Sequence, residues 1–263
     1  MRVTRPVVVF VVVSSFLVST LVAQTAATST QAASVLQNAF AALVGKSTVS
    51  DVTLTGMVER IAGSDDESGN ATYKALPGSN RLDMAFSSGT RTEIRTTGNS
   101  GPSGSWIGVD GVSHPVARHN LMTGVDLVPS FLLNSLSNTS QYSLTYVGPE
   151  TLNDVSVTHM FAAENTSSLP DDQVALVTHL SRIDLYFDAS TNLPSKIAFN
   201  QHPDNNFQID IPSEIRYSDY RIVDGAQIPF HIQKYINNSL ILDIQFQSAV
   251  LNSGISSSTF QVQ

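Results

Sequence analysis

IRYSDYRIVDGAQIPFHIQKYINN, residues 215–238, is the stretch that decides the fold. Its second half alternates: Ile228, Phe230 and Ile232 share one face while His231 and Gln233 share the other, which is the two-residue period of a half-buried strand. Asp224-Gly225 before this run and Asn237-Asn238 after it are turn dipeptides, able to take the left-handed backbone that a tight hairpin needs. Strands joined so closely pair antiparallel. The alternation continues on both sides. Leu240, Leu242, Ile244 and Phe246 oppose Ile241, Asp243, Gln245 and Gln247; upstream, Ile183, Leu185 and Phe187 oppose Asp184, Tyr186 and Asp188, and Leu82, Met84 and Phe86 oppose Arg81, Asp83 and Ala85. Asp110-Gly111 and the segment from Asp188 to Pro194 are further turns.

Two segments carry the helical period instead. Val35, Leu36, Ala39, Phe40, Leu43 and Val44 recur at helical spacing, Thr30 is a candidate N-cap and Gly45 a stop, so a helix is predicted over about 30–44. In DLVPSFLLNSLS (126–137), Asp126 is a candidate cap, Pro129 suits a first turn, and Phe131, Leu132, Leu133 and Leu136 form an apolar stripe. QVALVTHL (173–180) reads equally as helix or strand, because a short apolar run does not decide. The segments Gly98 to Ser105 and Asn165 to Asp171, rich in Gly, Ser and Pro, read as loops too short to divide domains.

The composition bounds the function. Of 263 residues 41% are hydrophobic and 14% charged, so a large core can form without help from metals or disulfides. Fourteen basic side chains against 22 acidic leave a net charge of −8, which disfavours a nucleic-acid partner. Zero cysteines exclude zinc fingers, iron–sulfur centres, thiol catalysis and an acylated N-terminal Cys. Arg2 and Arg5, the apolar stretch from Val7 to Val22 and the small residue Ala23 together read as a secretory signal peptide over 1–23, leaving one domain over 24–263. The rival reading, a membrane anchor, is opposed by Ser14, Ser15, Ser19 and Thr20 within the stretch and by its shortness against the roughly 20 residues of a span.

Catalytic patterns are missing. The chain contains no GxSxG, HExxH, Walker-type or GxGxxG motif, and no nucleophile beside a base can be defended, so no catalytic residue, cofactor or metal is expected. His114 and His119, with Asp110 nearby, read as a loop pair, since five residues put the imidazoles on opposite faces of a strand. His202-Pro203-Asp204 reads as coincidence with a chaperone tripeptide, and Asp65-Asp66-Glu67 as a solvated hairpin turn without calcium spacing.

LYFDASTNLPSKIAF (185–199), IRYSDYRIVDGAQIPFHIQKYINN (215–238) and VLNSGISSSTF (250–260) in series resemble the outer-membrane lipoprotein-sorting proteins of the LolA-like superfamily. The matching positions are Asp188, Thr191, Leu193 and Pro194, then Tyr217, Asp219, Tyr220, Asp224, Gly225, Pro229 and Phe230, then Asn252, Ile255 and Phe260. Over 30–180 the likeness is architectural only. The resemblance implies a mainly β fold, an antiparallel incomplete half-barrel of about eleven strands with an N-terminal helix and a lid helix. Its open apolar face would shield acyl chains of lipids or lipoproteins in the periplasm. An exposed acyl chain costs about 0.8 kcal/mol per methylene in water, and a soluble apolar container removes that cost without catalysis.

On this reading Phe40, Phe131, Leu132, Leu133 and Leu136 from the helices and Phe230, Ile232, Leu242, Ile244 and Phe246 from the strands line the cavity and its lid. The expected partners are a lipid or lipoprotein acyl chain and envelope membrane proteins, with the protein itself monomeric, soluble and periplasmic. The superfamily's Arg that contacts the lid has no clear counterpart, its candidates being Arg60, Arg81 and Arg91. Two alternatives stand beside this: an envelope-stress or scaffold protein using the same fold for protein contacts, and a carbohydrate-binding β-sandwich whose core the same apolar side chains fill.

Overall fold

The structure is a computed structural model and describes residues 17–98 and 100–261, with side chains of the first helix described from residue 28. That helix, α1 (Leu17–Val44), buries Ala32, Leu36, Ala39 and Leu43, a stripe spaced by fours and threes. It ends at Gly45, whose φ of 56° lets its N–H return to Ala41 O at 2.9 Å. Most of the expected signal peptide, residues 1–16, lies outside the described residues. From Leu17 onward the backbone is already helical, so α1 starts well before the expected position and Thr30 sits inside it rather than at a cap. Ala23, Ala26 and Ala27 favour that continuation.

The strands follow the period of two. β1 (Val52–Ala62), β2 (Asp65–Leu76), β3 (Ser79–Phe86), β4 (Gly89–Gly98), β5 (Gly101–Ile107) and β6 (Ser113–Pro115) form consecutive hairpins. β7 (Tyr142–Leu152), β8 (Val155–Glu164), β9 (Ile183–Asp188), β10 (Pro194–Gln201), β11 (Ile211–Val223), β12 (Ala226–Ile236) and β13 (Ser239–Leu251) form the second series. All thirteen make one antiparallel sheet, ordered β6-β5-β4-β3-β2-β1-β13-β12-β11-β10-β9-β8-β7. The first strand pairs with the last, from Val52 opposite Leu251 to Arg60 opposite Leu242, and β6 and β7 are left as the two edges. One continuous open sheet takes the place of the two facing sheets that a sandwich requires.

The sheet curls strongly. β4 and β12 are five strand spacings apart, about 24 Å if flat, yet Lys234 Nζ on β12 lies 3.8 Å from Glu93 Oε2 on β4. Because β6 and β7 lie at opposite edges, the chain between them must cross from one to the other. That connection carries a 3-10 turn (Arg118–Leu121) and α2 (Pro129–Leu136), which buries Phe131, Leu132, Leu133 and Leu136 and turns Asn134 and Ser135 to solvent. The crossing segment is therefore a lid by topology, packed on α1 and on the inner sheet face. The third helix, α3 (Asp171–Ser181), resolves the open reading of 173–180.

Other expectations need correction. Gly98 and the run Gly101 to Ser105 belong to the paired strands β4 and β5, where Gly98 pairs with Gly101 and Ile94 with Ser105, rather than to a loop; this raises the strand number above eleven. Asp65, Asp66 and Glu67 open β2, paired with Ala62, Ile61 and Arg60, so the turn itself is Gly63-Ser64. Asp126 does not occupy the N-cap of α2, which is Val128.

The residues that carry the family resemblance have structural work. Asp188 Oδ1 accepts from the backbone N–H groups of Ser190 and Thr191, both at 2.9 Å, closing the β9–β10 loop. Tyr220 donates its hydroxyl to Pro194 O at 2.8 Å. Asn252, at φ 56°, accepts from Ser50 N at 2.8 Å and donates to Thr48 O at 2.9 Å, fastening the tail to the start of β1.

Candidate functional site

Inside the curl, cross-strand pairing puts Tyr73 beside Leu82, Leu82 beside Glu93, and Asn80 beside Arg95, all on one face. Together with Val125, Asp126 and Leu127 of the lid segment and Phe199, Ile215, Lys234 and Leu242 of the opposite wall, they line a chamber of about 480 Å³ that is partly open to solvent. A second cleft of about 800 Å³ shares Glu93, Arg95, Gln201 and Lys234 with the chamber and opens outward past Trp106, Pro115, Val116 and His202. The site is thus an apolar pocket joined to a wider mouth through a charged waist.

The lid is latched by one buried carboxylate. Asp126 Oδ1 accepts from the Tyr73 hydroxyl at 2.5 Å and from Val128 N at 2.8 Å, and Oδ2 accepts from Asn80 Nδ2 at 3.1 Å. Tyr217 on β11 donates to Asp126 O at 2.9 Å, so strands from both walls hold the same residue. Burial pushes the Asp126 carboxyl above its ordinary range, against the pull of these donors and of Arg95. Burial and the neighbouring Asp126 also raise the Tyr73 hydroxyl well above its usual value, which keeps it protonated and donating.

At the waist, Lys234 holds the Glu93 carboxyl below its ordinary range, helped by Arg95 and Arg60 and opposed by burial. Burial pulls the Arg95 guanidinium down, while Glu93, Tyr73 and Asp126 sustain its charge. Arg95 also reaches toward the crossing segment, with Nη1 3.4 Å from Asn120 O. It is Arg95, on the inner face of β4, that faces the lid. Of the three candidates read from sequence, Arg60 and Arg91 instead flank Glu67, each 3.6 Å from its carboxylate, and Arg81 pairs with Asp83 at 2.8 Å.

Phe131, Leu132, Leu133, Leu136, Phe230, Ile232, Leu242, Ile244 and Phe246 all belong to one buried core cluster, with Phe40 packed against it. Leu242 alone among them borders the chamber; Phe40 and Phe131 border a separate groove of about 650 Å³ between α1 and α2. The others lie deeper, as packing between lid, helix and sheet. Sequence reasoning missed Tyr73, Glu93, Arg95, Asp126 as a latch, and Lys234. A signal existed for Lys234, which continues the parity of Ile228, Phe230 and Ile232 and so points to their face.

Several solved structures share this architecture. A domain described as an outer membrane lipoprotein-sorting protein from Vibrio parahaemolyticus aligns with a TM-score of 0.56 at 10% identity, covering 88% of this chain and 97% of that one. A DUF1329 family protein from Desulfovibrio piger gives 0.58 at 8% identity over 89% and 97%. A LolA superfamily protein from Nitrosomonas europaea gives 0.53 at 13% identity over 88% and 97%. The chain therefore has the fold of LolA superfamily structures. No protein-family model matches the sequence, and no curated protein matches it by sequence.

Proposed function

We propose, from this shared fold, that the protein is a non-enzymatic carrier of the cell envelope that binds an amphiphile with an anionic head. The acyl chain would enter the chamber as α2 swings out, and the head would rest at the waist against Arg95 and Lys234. The observation that carries this reading is the charged waist joining an apolar chamber to an outer cleft beneath a latched lid. Two cations accompanied by one carboxylate at an apolar boundary suit a lipid phosphate or carboxylate. The outer membrane lipoprotein-sorting description of one structural neighbour agrees with a hydrophobic cargo.

Among the described residues no helix is long and apolar enough to cross a membrane. With cleavage after Ala23, the domain would work free of the bilayer. The test is twofold: lipid extraction and mass spectrometry of protein purified from its native envelope, and titration with a fluorescent fatty acid. Co-purification of a stoichiometric amphiphile and saturable probe binding support the carrier. Lipid-free protein that ignores the probe removes it.

A further inference from the structure

Among the described residues, one cluster at the border of the outer cleft brings together metal-ligating groups: His179 on α3 with His202 and Asp210 from the β10–β11 connection. We propose that these three side chains form a binding site for a divalent transition metal of the zinc class. The inference is independent of the carrier reading.

The spacing suits such an ion. One donor atom from each residue lies within 4.8 Å of the other two. His179 Nε2 is 2.9 Å and His202 Nδ1 3.5 Å from Asp210 Oδ1. Bonds of about 2.0–2.1 Å in a tetrahedral shell separate neighbouring donors by about 3.3 Å, a value these distances bracket. Two imidazoles and a carboxylate favour zinc, cobalt or nickel over magnesium or calcium, and three protein ligands leave a position open.

His202 is held in place for this role. Its side chain is 0% exposed, and its backbone is clamped on both sides by Asn120, which donates to His202 O and accepts from His202 N, each at 2.8 Å. His202 Nδ1, the atom that faces Asp210, also lies 3.0 Å from Ile209 O, so an ion bound at Nδ1 would take the place of the proton in that contact. His119, on the 3-10 turn, stands edge-on to His202 at 5.8 Å.

The placement gives the ion a consequence. It would tie α3 to a nine-residue connection, and through Asn120 to the crossing segment, next to the outer cleft that His202 borders. Metal binding would stiffen the mouth of that cleft.

The test is titration of tag-free, metal-stripped protein with Co²⁺, followed by displacement with Zn²⁺. The expected result is one equivalent bound with a Kd near or below about 1 μM, visible absorption of low-coordinate cobalt, and a melting temperature that rises with added Zn²⁺. His179→Gln and Asp210→Asn change half-exposed side chains, so each should keep the strand spectrum while weakening Co²⁺ binding at least about tenfold. Failure of the wild type to bind Co²⁺ saturably, or binding that both variants leave unchanged, overturns the proposal.

Discussion

Tyr73 near the end of β2 donates its hydroxyl to the carboxylate of Asp126 at 2.5 Å, and both residues are buried. A strand of the sheet floor thereby grips the segment that leads into α2. The grip is polar and local, whereas α2 itself is held by apolar contact with α1 and the sheet. Latch and lid can be perturbed separately, which makes the opening motion testable.

Tyr73→Phe removes one donor from a buried carboxylate and leaves the ring in place. The expected cost is about 1–3 kcal/mol, that of a buried acceptor losing a partner. Amide hydrogen exchange should rise over 125–137 while β11 to β13 keep their protection. Unchanged exchange in that segment would show that the apolar face of α2 alone holds the lid shut.

The β11–β12 turn makes a sharper demand on one residue. Asp224 and Gly225 have φ of 49° and 85°, and a Cβ on Gly225 would lie 2.5 Å from Ser47 Oγ, which itself donates to Asp224 O. Gly225→Val combines a left-handed β-branched residue with displacement of the Ser47 hydroxyl from its bond to Asp224 O. A destabilisation of several kcal/mol is expected, of the order at which strained backbone and overpacking add. Thermal melting checks it, and a melting temperature equal to wild type would remove the turn assignment.

This hairpin was legible because alternation, turn chemistry and burial agree along it, from Ile228 to Ile232. β5 was not, because GPSGSWI offers one buried side chain and reads as a loop until its pairing with β4 is seen. The start of α1 was obscured by a Thr that looks like a cap. The latch and the waist were hidden for another reason. Tyr73, Glu93, Asp126, Tyr217 and Lys234 are far apart in sequence and meet only when the sheet curls. His179 on α3 likewise meets His202 and Asp210 of the β10–β11 connection only in the fold, and no spacing rule joins them.

Asp51 supplies a test in pH. It is buried at the start of β1 and accepts from Ser253 N at 2.8 Å, Ser253 Oγ at 2.9 Å and Gly254 N at 2.9 Å. Burial alone would raise its carboxyl, but these donors outweigh it and hold the group below its ordinary value of 3.8. A carboxyl depressed in the folded state contributes stability that is present above the unfolded pKa and lost as pH falls through the folded one. Asp51→Asn should therefore be less stable than wild type at pH 7 by about 1–2 kcal/mol, with the gap closing below pH 4. Urea midpoints at several pH values measure this; a gap that stays constant down to about pH 2 would exclude Asp51 as the source.

Lys234 decides whether the waist reads a head group. It shares a face with Leu242 across the β12–β13 pair and reaches Glu93 at 3.8 Å, so replacing it with Met keeps the stem and deletes the charge. If the cation receives an anionic head, wild-type protein should bind a fluorescent fatty acid about tenfold more tightly than its methyl ester, a difference of about 1.4 kcal/mol. Lys234→Met should bring the two ligands to near parity while ester affinity stays within about twofold, because Met keeps the apolar stem that Lys234 contributes to the chamber wall. Deleting Lys234 also leaves Glu93 without its nearest cation, and its carboxylate would then repel the acid. Glu93→Gln combined with Lys234→Met separates these effects: parity in the double variant assigns the preference to attraction by Lys234, whereas a restored preference for the acid would mean that repulsion by Glu93 had caused the loss. A wild-type protein that binds acid and ester equally would leave the waist without a role in recognition, and the cargo would then be held by its acyl chain alone.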